Sequence, residues 1–366
     1  MVQIKKAGIG LILTLDYEIH GNGSGDFENW VYFPTAQMLD LFDTFGAKLT
    51  IMAEMGHYWA MKKYKDLFSK DIYLFETQLR NAVIRGHDVQ LHFHPQWIDA
   101  EYKDGNWNLD YSRKSIERLC HNYDEAYFYL KKGKEELQNL LSPVNHKYQC
   151  VCFRAGFFQM QPSEIMIKAL EDIGFLSDSS VSKGYKTNNN LGVLDYTYAC
   201  SNYRPWKISK YDICKNDESG KIIEFPILAD RIGFINKLLN KIIYDTQGWI
   251  IRDVKSNIKI YFDKGMTVNR IKKMFADKFK RILFKSWEVA DFCRKDRSSL
   301  LKYIRNVLSL WRKNDNNNYI PVVLIGHSKD FFSIDSLSRF LKACQNIEEV
   351  EFTTYFKAIM KLYPSS

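Results

Sequence analysis

Short apolar runs that end in polar residues recur along this sequence and alternate with stretches of amphipathic, helix-type pattern. The two clearest amphipathic stretches each end in glycine, the residue that favours the end of a helix. Alternation of this kind is typical of strand–helix units and predicts an α/β fold on a parallel sheet, open or closed into a barrel. The strand candidates are GIGLILTLD, AKLTIMAE, HDVQLHFHP, CVCFRAG, GFLSDSSV and IPVVLIGHS, and the helix candidates are TAQMLDLFDTFG and SEIMIKALEDIG.

The basic charge of the chain is concentrated in one segment. The 366 residues are 46% hydrophobic, enough for a large core, and carry a net charge of +9. Residues 231–315 hold 21 basic and 8 acidic residues, a net of +13. We therefore predict a barrel from residues 1–230 and 318–366, with residues 231–315 forming a helical basic insertion or cap packed on it.

Residues 270–285 within that segment carry an apolar stripe at helical spacing beside a basic face. One interpretation is a helix that packs its stripe on the barrel. The other is a peripheral membrane contact that holds the protein near an anionic bilayer, and the charge could also attract a phosphate-bearing nucleotide sugar. No nucleic-acid-binding module accompanies the basic residues, so a nucleic-acid partner is not expected.

Seven scattered cysteines argue against a disulfide framework and favour a reducing cytoplasm. The beginning of the chain, MVQIKKAGIGLILTLD, lacks a small-residue cleavage site and reads as the first strand. No apolar run reaches 18 residues, so no transmembrane helix is predicted. The expected location is the cytoplasm. A peripheral membrane contact would place the protein at the inner face of the membrane.

Polar side chains occupy the last positions of four strand candidates. Side chains alternate across a strand, so Asp16 and Glu18 share one face, as do His92 and His94. Arg154 and His327 end two further candidates, CVCFRAG and VVLIGHS. Sites in parallel sheets and barrels form at the carboxyl ends of the strands. The sequence thus predicts a site with two carboxylates, three imidazoles and a guanidinium.

The pair His92 and His94 could clamp a divalent metal ion together with one carboxylate, leaving an open position for water. Such ligands suit one Zn²⁺, and also Co²⁺, Ni²⁺ or Mn²⁺. A second carboxylate could then act as general base, and a separate histidine could protonate the leaving group. Taken alone, a His-x-His pair on a strand is also common as a surface or packing pair.

The segments TLDYE, GHDVQLHFHP, FRAG with the following helix and GFLSDSSV, and LIGHS resemble the ordered motifs of the polysaccharide deacetylases. These proteins are the metal-dependent carbohydrate esterases of family 4. The resemblance covers about residues 8–230 and 318–360 and implies a distorted (β/α) barrel. It also implies removal of acyl groups from sugars.

The resemblance implies roles for two acids and two histidines. Asp16 matches the catalytic base. Tyr17 stands where the family usually has a second, metal-binding acid, which makes Glu18 the metal ligand. His92 matches the first metal histidine, and His94 replaces the second, whose usual position is held here by Gln96.

Three more residues follow from the same motifs. Arg154 matches the arginine that orients the catalytic acid, and His327 matches the general acid. Asp178 lies near the motif that tunes the acid histidine.

Residues outside these motifs are candidates for contact with the sugar. His20 could be a ligand or a substrate contact, and Trp97, Tyr203 and Trp206 could stack on a sugar ring. The alternative for the three aromatic residues is an ordinary place in the core.

The expected function is a metal-dependent hydrolase that removes an N- or O-acyl group, most simply N-acetyl, from a sugar. The acylated sugar would be nucleotide-linked, lipid-linked or an oligosaccharide of bacterial-type surface polysaccharide or glycoconjugate biosynthesis. The alternative is a non-catalytic carbohydrate-binding or scaffold protein on the same fold. Tyr17 and Gln96 favour this alternative. The joint presence of Asp16, Arg154 and His327 favours the enzyme.

Overall fold

The computed structural model describes residues 8–189, 192–232, 286–314, 318–331 and 333–363. All six predicted strands are present in it. The strands are β1 (Ile9–Tyr17), β2 (Leu49–Glu54), β3 (Asp88–Phe93), β4 (Glu101–Lys103), β5 (Asn106–Asn108), β6 (Cys152–Ala155), β7 (Ser177–Asp178), β8 (Lys186–Asn189), β9 (Gly192–Asp195), β10 (Trp206–Ser209), β11 (Asp212–Asn216), β12 (Ile223–Glu224), β13 (Ala229–Ile232), β14 (Ser286–Val289), β15 (Ile320–His327) and β16 (Val350–Phe352).

Within the described ranges, ten α-helices connect or flank these strands. They are α1 (Phe33–Thr44), α2 (Met55–Lys63), α3 (Lys65–Ile84), α4 (Arg113–Ile116), α5 (Arg118–His121), α6 (Tyr123–Leu141), α7 (Glu164–Ile173), α8 (Arg297–Asn314), α9 (Ile334–Gln345) and α10 (Tyr355–Leu362). None of the helices in the described ranges combines the length and apolarity needed to cross a bilayer.

A curled sheet of mostly parallel strands forms the centre of the fold. Its order is β11-β10-β12-β7-β6-β3-β2-β1-β15, and β16 also pairs with β1. The neighbours from β12 to β15 run parallel, and β10 and β11 are antiparallel additions at one end. A parallel bridge between Ile227 and Val323 links the chain after β12 to β15, so the two sides of the curl meet. The predicted α/β fold with a distorted parallel barrel is confirmed.

Longer helices such as α7 cover the outer face of the sheet with an apolar stripe. In α7 the stripe is Met166, Ile167 and Leu170, all buried, and the helix ends at Gly174. Gly174 has φ +78°, a left-handed conformation that glycine adopts without a Cβ clash.

The inner face of the strands is apolar at the amino-terminal end and polar at the carboxyl end. Ile12, Cys152 and Val323 belong to a buried inner cluster, which Tyr355 of α10 also joins. Two and four residues further along the same strand faces come the side chains of the site, because side chains alternate with period two. The apolar cluster therefore forms a floor, and the polar groups lie above it.

Residues 233–285 lie outside the described residues, and with them the predicted membrane contact at 270–285. The predicted domain boundaries stay a prediction. Residues 286–314 are described: β14 pairs antiparallel with β13, and α8 buries Leu300, Ile304 and Trp311 against the core. A bridge between Asp291 and Ile325 places this part of the chain beside β15. All seven cysteines are free, and only Cys200 is exposed.

Candidate active site

Asp16 and Arg154 form a buried ion pair at the carboxyl end of the inner face. Arg154 donates from Nη1 to Asp16 Oδ1 at 2.6 Å and to Thr14 Oγ1 at 2.9 Å. Its remaining donors reach the Ser179 carbonyl and hydroxyl and the Tyr355 hydroxyl, so this fully buried guanidinium is well satisfied. Burial opposes ionisation of Asp16, but the charges of Arg154 and two histidines outweigh it and hold its pKa below the usual value.

His327 lies between Asp16 and a second carboxylate. Its Nε2 is 3.5 Å from Asp16 Oδ2, and its Nδ1 is 3.5 Å from Asp291 Oδ2 and 3.9 Å from Asp330 Oδ2. Burial lowers the pKa of His327, but the neighbouring carboxylates of Asp291 and Asp16 raise it above its usual value. Their charge favours the imidazolium, the form that can donate a proton.

Asp178 takes a different place from the one that the sequence suggested. Its carboxylate accepts from the Ser180 amide at 2.8 Å and lies opposite Glu224 on β12. Burial is the main reason that its pKa rises to about 6. Across the described ranges, the carboxylates within 4.0 Å of His327 are those of Asp16, Asp291 and Asp330. Asp291 thus faces the histidine that Asp178 was expected to tune, because the bridge to Ile325 brings it beside β15.

Glu18, His92 and His94 converge, as predicted, and Glu54 joins them. Each of the four buried residues offers one ligand atom, and these atoms all lie within 4.8 Å of one another. Glu18 Oε2 is 3.2 Å from His92 Nε2 and 2.8 Å from His94 Nε2. Glu54 is the last residue of AKLTIMAE, so the strand-end argument applied to the other residues would have found it.

Glu54 supplies the observation that tests whether this cluster fits a cation. Its Oε1 accepts from the amides of Gly56 at 2.7 Å and His94 at 3.3 Å. Its Oε2 is buried 4.0 Å from His92 Nε2 and has no hydrogen-bond partner among the described residues. A buried carboxylate oxygen without a donor is costly, and a cation there would satisfy it. Two carboxylates and two imidazoles form a donor set that fits Zn²⁺ and related divalent ions.

The two histidines are oriented by groups behind them. His92 Nδ1 lies 2.9 Å from the Arg154 carbonyl oxygen, which can only accept, so Nδ1 carries a hydrogen and Nε2 faces the cluster. Burial would lower the pKa of His92, but the carboxylates of Asp16, Glu18 and Glu54 raise it to about 9.

Gln96, which stands where the resembled family has a histidine, lies against the ring of His94. Its amide is 3.1 Å from His94 Nδ1, and its Oε1 has no partner in the described structure. Rotation of the amide by 180° lets Oε1 accept from Nδ1–H instead. Gln96 then turns His94 Nε2 toward the cluster.

Two consecutive residues shape the space around His94. A Cβ on Gly156 would come within 2.4 Å of the His94 ring, so only glycine allows this approach. Phe157 follows with φ +53° and places its ring edge-on to His94 at a centroid distance of 4.7 Å. A left-handed phenylalanine is rare, and strain of this kind is found at functional sites.

Lys329 is a member of the site that the sequence argument missed. Its Nζ lies 2.5 Å from Glu18 Oε1 and 3.2 Å from the carbonyl oxygen of Ile19. The residue follows the LIGHS motif by one position. Nothing in strand periodicity singles out a lysine in a turn, so only the structure reveals it.

The four side chains predicted to contact substrate are buried or half-buried. Trp97 is buried against His57 and Trp107, and Trp206 donates from its indole to the Ile213 carbonyl. Tyr203 is also buried, so these three aromatic side chains lie in the environment expected of core residues. His20 is half-buried beside Trp30, at a ring distance of 4.9 Å.

No protein-family model and no curated protein sequence matches the chain. A solved structure from Mycobacterium smegmatis, described as a polysaccharide deacetylase, aligns with a TM-score of 0.50 and 13% identity, covering 99% of this chain and 92% of that one. A protein from Pseudomonas aeruginosa PAO1, also described as a polysaccharide deacetylase, has a TM-score of 0.48 at 13% identity, with 98% and 92% covered. An allantoinase aligns at 0.47 and 13% identity, with the same coverage. The likeness to the Mycobacterium smegmatis structure shows a shared fold.

Proposed function

We propose that this chain is a metal-dependent hydrolase that removes an N- or O-acyl group, most simply N-acetyl, from a sugar. One observation carries the proposal. Asp16 lies between Arg154 and His327, and beside it Glu18, Glu54, His92 and His94 form a buried donor cluster. A base, an acid and a cation site placed side by side are the groups that acyl-group hydrolysis needs.

Asp16 is the base of the proposed reaction. Its Oδ1 is held by Arg154, whereas its Oδ2 points to His327 and lies 4.0 Å from His92 Nε2. Arg154 keeps the carboxylate ionised and fixed in direction, so Oδ2 is available to accept a proton from water. Thr14, which shares the same guanidinium nitrogen, braces the pair from below.

His327 is the acid. Its Nε2 faces Asp16, and Asp291 on the other side stabilises the protonated ring. Protonated His327 gives its Nε2 proton to the departing amine or hydroxyl of the sugar, which turns a poor leaving group into a neutral one.

Glu18, Glu54, His92 and His94 would hold the cation, with Zn²⁺ as the first choice and Co²⁺, Ni²⁺ or Mn²⁺ as alternatives. When bound, such an ion makes water more acidic and polarises an acyl carbonyl. The Arg154 carbonyl, Gln96 and the backbone amides on Glu54 hold the side chains of the cluster in direction.

The non-catalytic alternative rested on Tyr17 and Gln96. Tyr17 points to the core side, where its hydroxyl donates to Gln78 Oε1 at 2.6 Å, and so it leaves the site to Asp16 and Glu18. Gln96 orients His94. Both departures from the resembled motif therefore have places in an ordered site, which supports the enzyme.

The class of sugar and the cellular location are part of the same proposal. We take the acylated sugar to be nucleotide-linked, lipid-linked or an oligosaccharide, handled in the cytoplasm or at the inner face of the membrane. The resemblance of the motifs supports a sugar substrate, whereas the fold shared with the Mycobacterium smegmatis protein does not by itself imply one.

The test is release of acetate from a panel of N- and O-acetylated sugars by protein loaded with Zn²⁺ or Co²⁺. Asp16→Asn and His327→Ala should retain the metal and lose turnover by a factor of about 10² or more, since each removes one proton transfer. Asp335→Asn, at an exposed ion pair with Arg339, is the control and should behave as wild type. Loss of metal in Asp16→Asn would reverse the roles of Asp16 and Glu18, and failure of the wild type on every acylated sugar would overturn the function.

A further inference from the structure

The buried ammonium of Lys329 binds one oxygen of a carboxylate whose other oxygen faces the donor cluster. Lys329 Nζ contacts Glu18 Oε1, and Glu18 Oε2 contacts His92 and His94. The lysine is anchored a second time by the Ile19 carbonyl, and the Ser328 hydroxyl lies 3.5 Å from the Glu18 carbonyl. The turn after β15 is therefore fixed to the end of β1 at this point.

Such a pair is not explained by stability alone. The side chains of Lys329 and Glu18 are only 11% and 9% exposed, so both charges have lost most of their water. A buried ion pair often contributes no more stability than apolar residues of the same size would. The charge is also placed a few ångströms from a cluster suited to a cation, which it repels. Because this lysine repels the cation, we expect Lys329 to have a function at the site that offsets the repulsion.

We propose that Lys329 is a positioning residue that leaves Glu18 a single free oxygen for the cation. A carboxylate can offer a metal ion one or both of its oxygens. With Oε1 held by the ammonium, Glu18 offers Oε2 alone, and the position that Oε1 would take stays open for water or substrate. The inference rests on the metal site of the proposed function. It adds that Lys329 limits the number of carboxylate oxygens that the protein offers to the cation.

The charges of the site show a second consequence. Asp16, Glu18 and Glu54 can contribute three negative charges, and Arg154 and Lys329 contribute two positive charges. With neutral histidines, the site has one net negative charge, so a divalent ion leaves an excess of one positive charge. Lys329 thus weakens cation binding through charge repulsion while it keeps the open position.

Lys329→Met tests both consequences, because methionine has nearly the same length and shape without the charge or the donors. The probe is Co²⁺ titrated into the metal-free protein, read by its visible absorption. Intense bands indicate four or five ligands, and weak bands indicate six. We expect Lys329→Met to bind Co²⁺ at least about tenfold more tightly and to show weaker bands, because Glu18 then supplies both oxygens.

Two further variants keep the result interpretable. Lys329→Arg retains the charge and the donors and should keep the wild-type spectrum and affinity. Lys295→Met removes another buried lysine, which pairs with Glu288 away from the cluster, and should also leave both unchanged. If Lys329→Met does not fold, comparison of Lys329→Arg with Lys329→Gln gives the same contrast of charge.

The outcomes separate this inference from the proposed function. Co²⁺ binding by the wild type with unchanged spectrum and affinity in the uncharged Lys329 variant would overturn the inference and leave the hydrolase proposal intact. Absence of Co²⁺ binding by the wild type would overturn the metal site itself. A changed spectrum in the variant without acetate release by the wild type would support the inference and remove the proposed activity.

Discussion

At the scale of single residues, Gly156 limits where the ring of His94 can lie. A Cβ at position 156 would come within 2.4 Å of that ring, so Gly156→Ala must displace it. We expect the variant to lose at least about tenfold in affinity for Zn²⁺ and about 1–3 kcal/mol in free energy of unfolding, as overpacking does. Competition with a chelating dye measures the first quantity, and urea denaturation measures the second.

Gly21→Ala is the matched control for that variant. A Cβ on Gly21 would lie 3.5 Å from Phe157, an ordinary contact. Gly21→Ala should therefore bind Zn²⁺ as the wild type does. Equal affinities for the Gly156→Ala and wild-type proteins would show that His94 is not a ligand.

Asp291 controls the protonation of His327 in the proposed reaction. Asp291→Asn removes the charge that raises the pKa of His327, but retains an acceptor for the Cys293 amide, which now reaches Oδ1 at 2.9 Å. The pKa of His327 should fall, so the decline of kcat/KM at high pH should begin at lower pH. At pH 8 we expect about a two- to tenfold loss, with a smaller loss at pH 6. A pH profile with the same basic limb as the wild type would exclude this role.

Some residues of the site could be predicted from the sequence and others could not. Asp16, His92 and Arg154 end strands whose alternation is visible in the residues, and a resembling motif supports each one. Asp291 lies 36 positions before His327 in sequence, and a single bridge to β15 brings them together. Such a contact leaves no periodic signal, and the same is true of Lys329.

At the scale of the elements, adjacent parallel strands place two buried acids side by side. Asp178 on β7 lies opposite Glu224 on β12, and burial raises the pKa of Asp178 to about 6 and that of Glu224 well above its usual value. The folded protein therefore keeps a proton that the unfolded chain releases from about pH 4 upward, so this pair lowers stability as pH rises.

Glu224→Gln should remove most of that penalty, since the amide retains an acceptor for the Val181 amide. The variant should be more stable than the wild type, and this difference in free energy of unfolding should grow by about 1–3 kcal/mol from pH 5 to pH 8. Urea denaturation at both pH values measures this difference. Glu135→Gln, at an exposed position on α6, should show no such change. If the difference in free energy of unfolding between variant and wild type is the same at both pH values, the folded protein does not keep a proton on the pair of Asp178 and Glu224.

Strands with long apolar runs were predictable as elements, but the pairing partners of the short strands were not. β1 and β15 are buried along nearly their whole length, so their composition indicates them directly. β12 has two residues, and its place depends on pairing with β7 and on the link from Ile227 to Val323. Closure of the barrel depends on these distant contacts, which explains why the sequence left an open sheet and a barrel as alternatives.

At the scale of the whole molecule, the donor cluster joins the ends of β1, β2 and β3. Since an unfolded chain has no such cluster, a bound ion stabilises the folded state. A free concentration 100 times Kd adds about 2.7 kcal/mol, which corresponds to a rise of about 3 °C in Tm for a chain of this length. Differential scanning fluorimetry with Zn²⁺ and with a chelator measures the shift. His92→Ala with His94→Ala should abolish it, and an equal shift in that double variant would place the ion elsewhere.

Arg154 is bound at one nitrogen by Asp16 near the start of the chain and reaches the hydroxyl of Tyr355 near its end. During synthesis, Asp16 is made 138 residues before Arg154, and β15 with His327 follows later still. A chain made only as far as Arg154 therefore contains the proposed base and all four proposed metal ligands, but it contains neither His327 nor the Tyr355 hydroxyl that Arg154 reaches. Under the proposed function, the site is therefore complete only after β15 and α10 have joined the sheet.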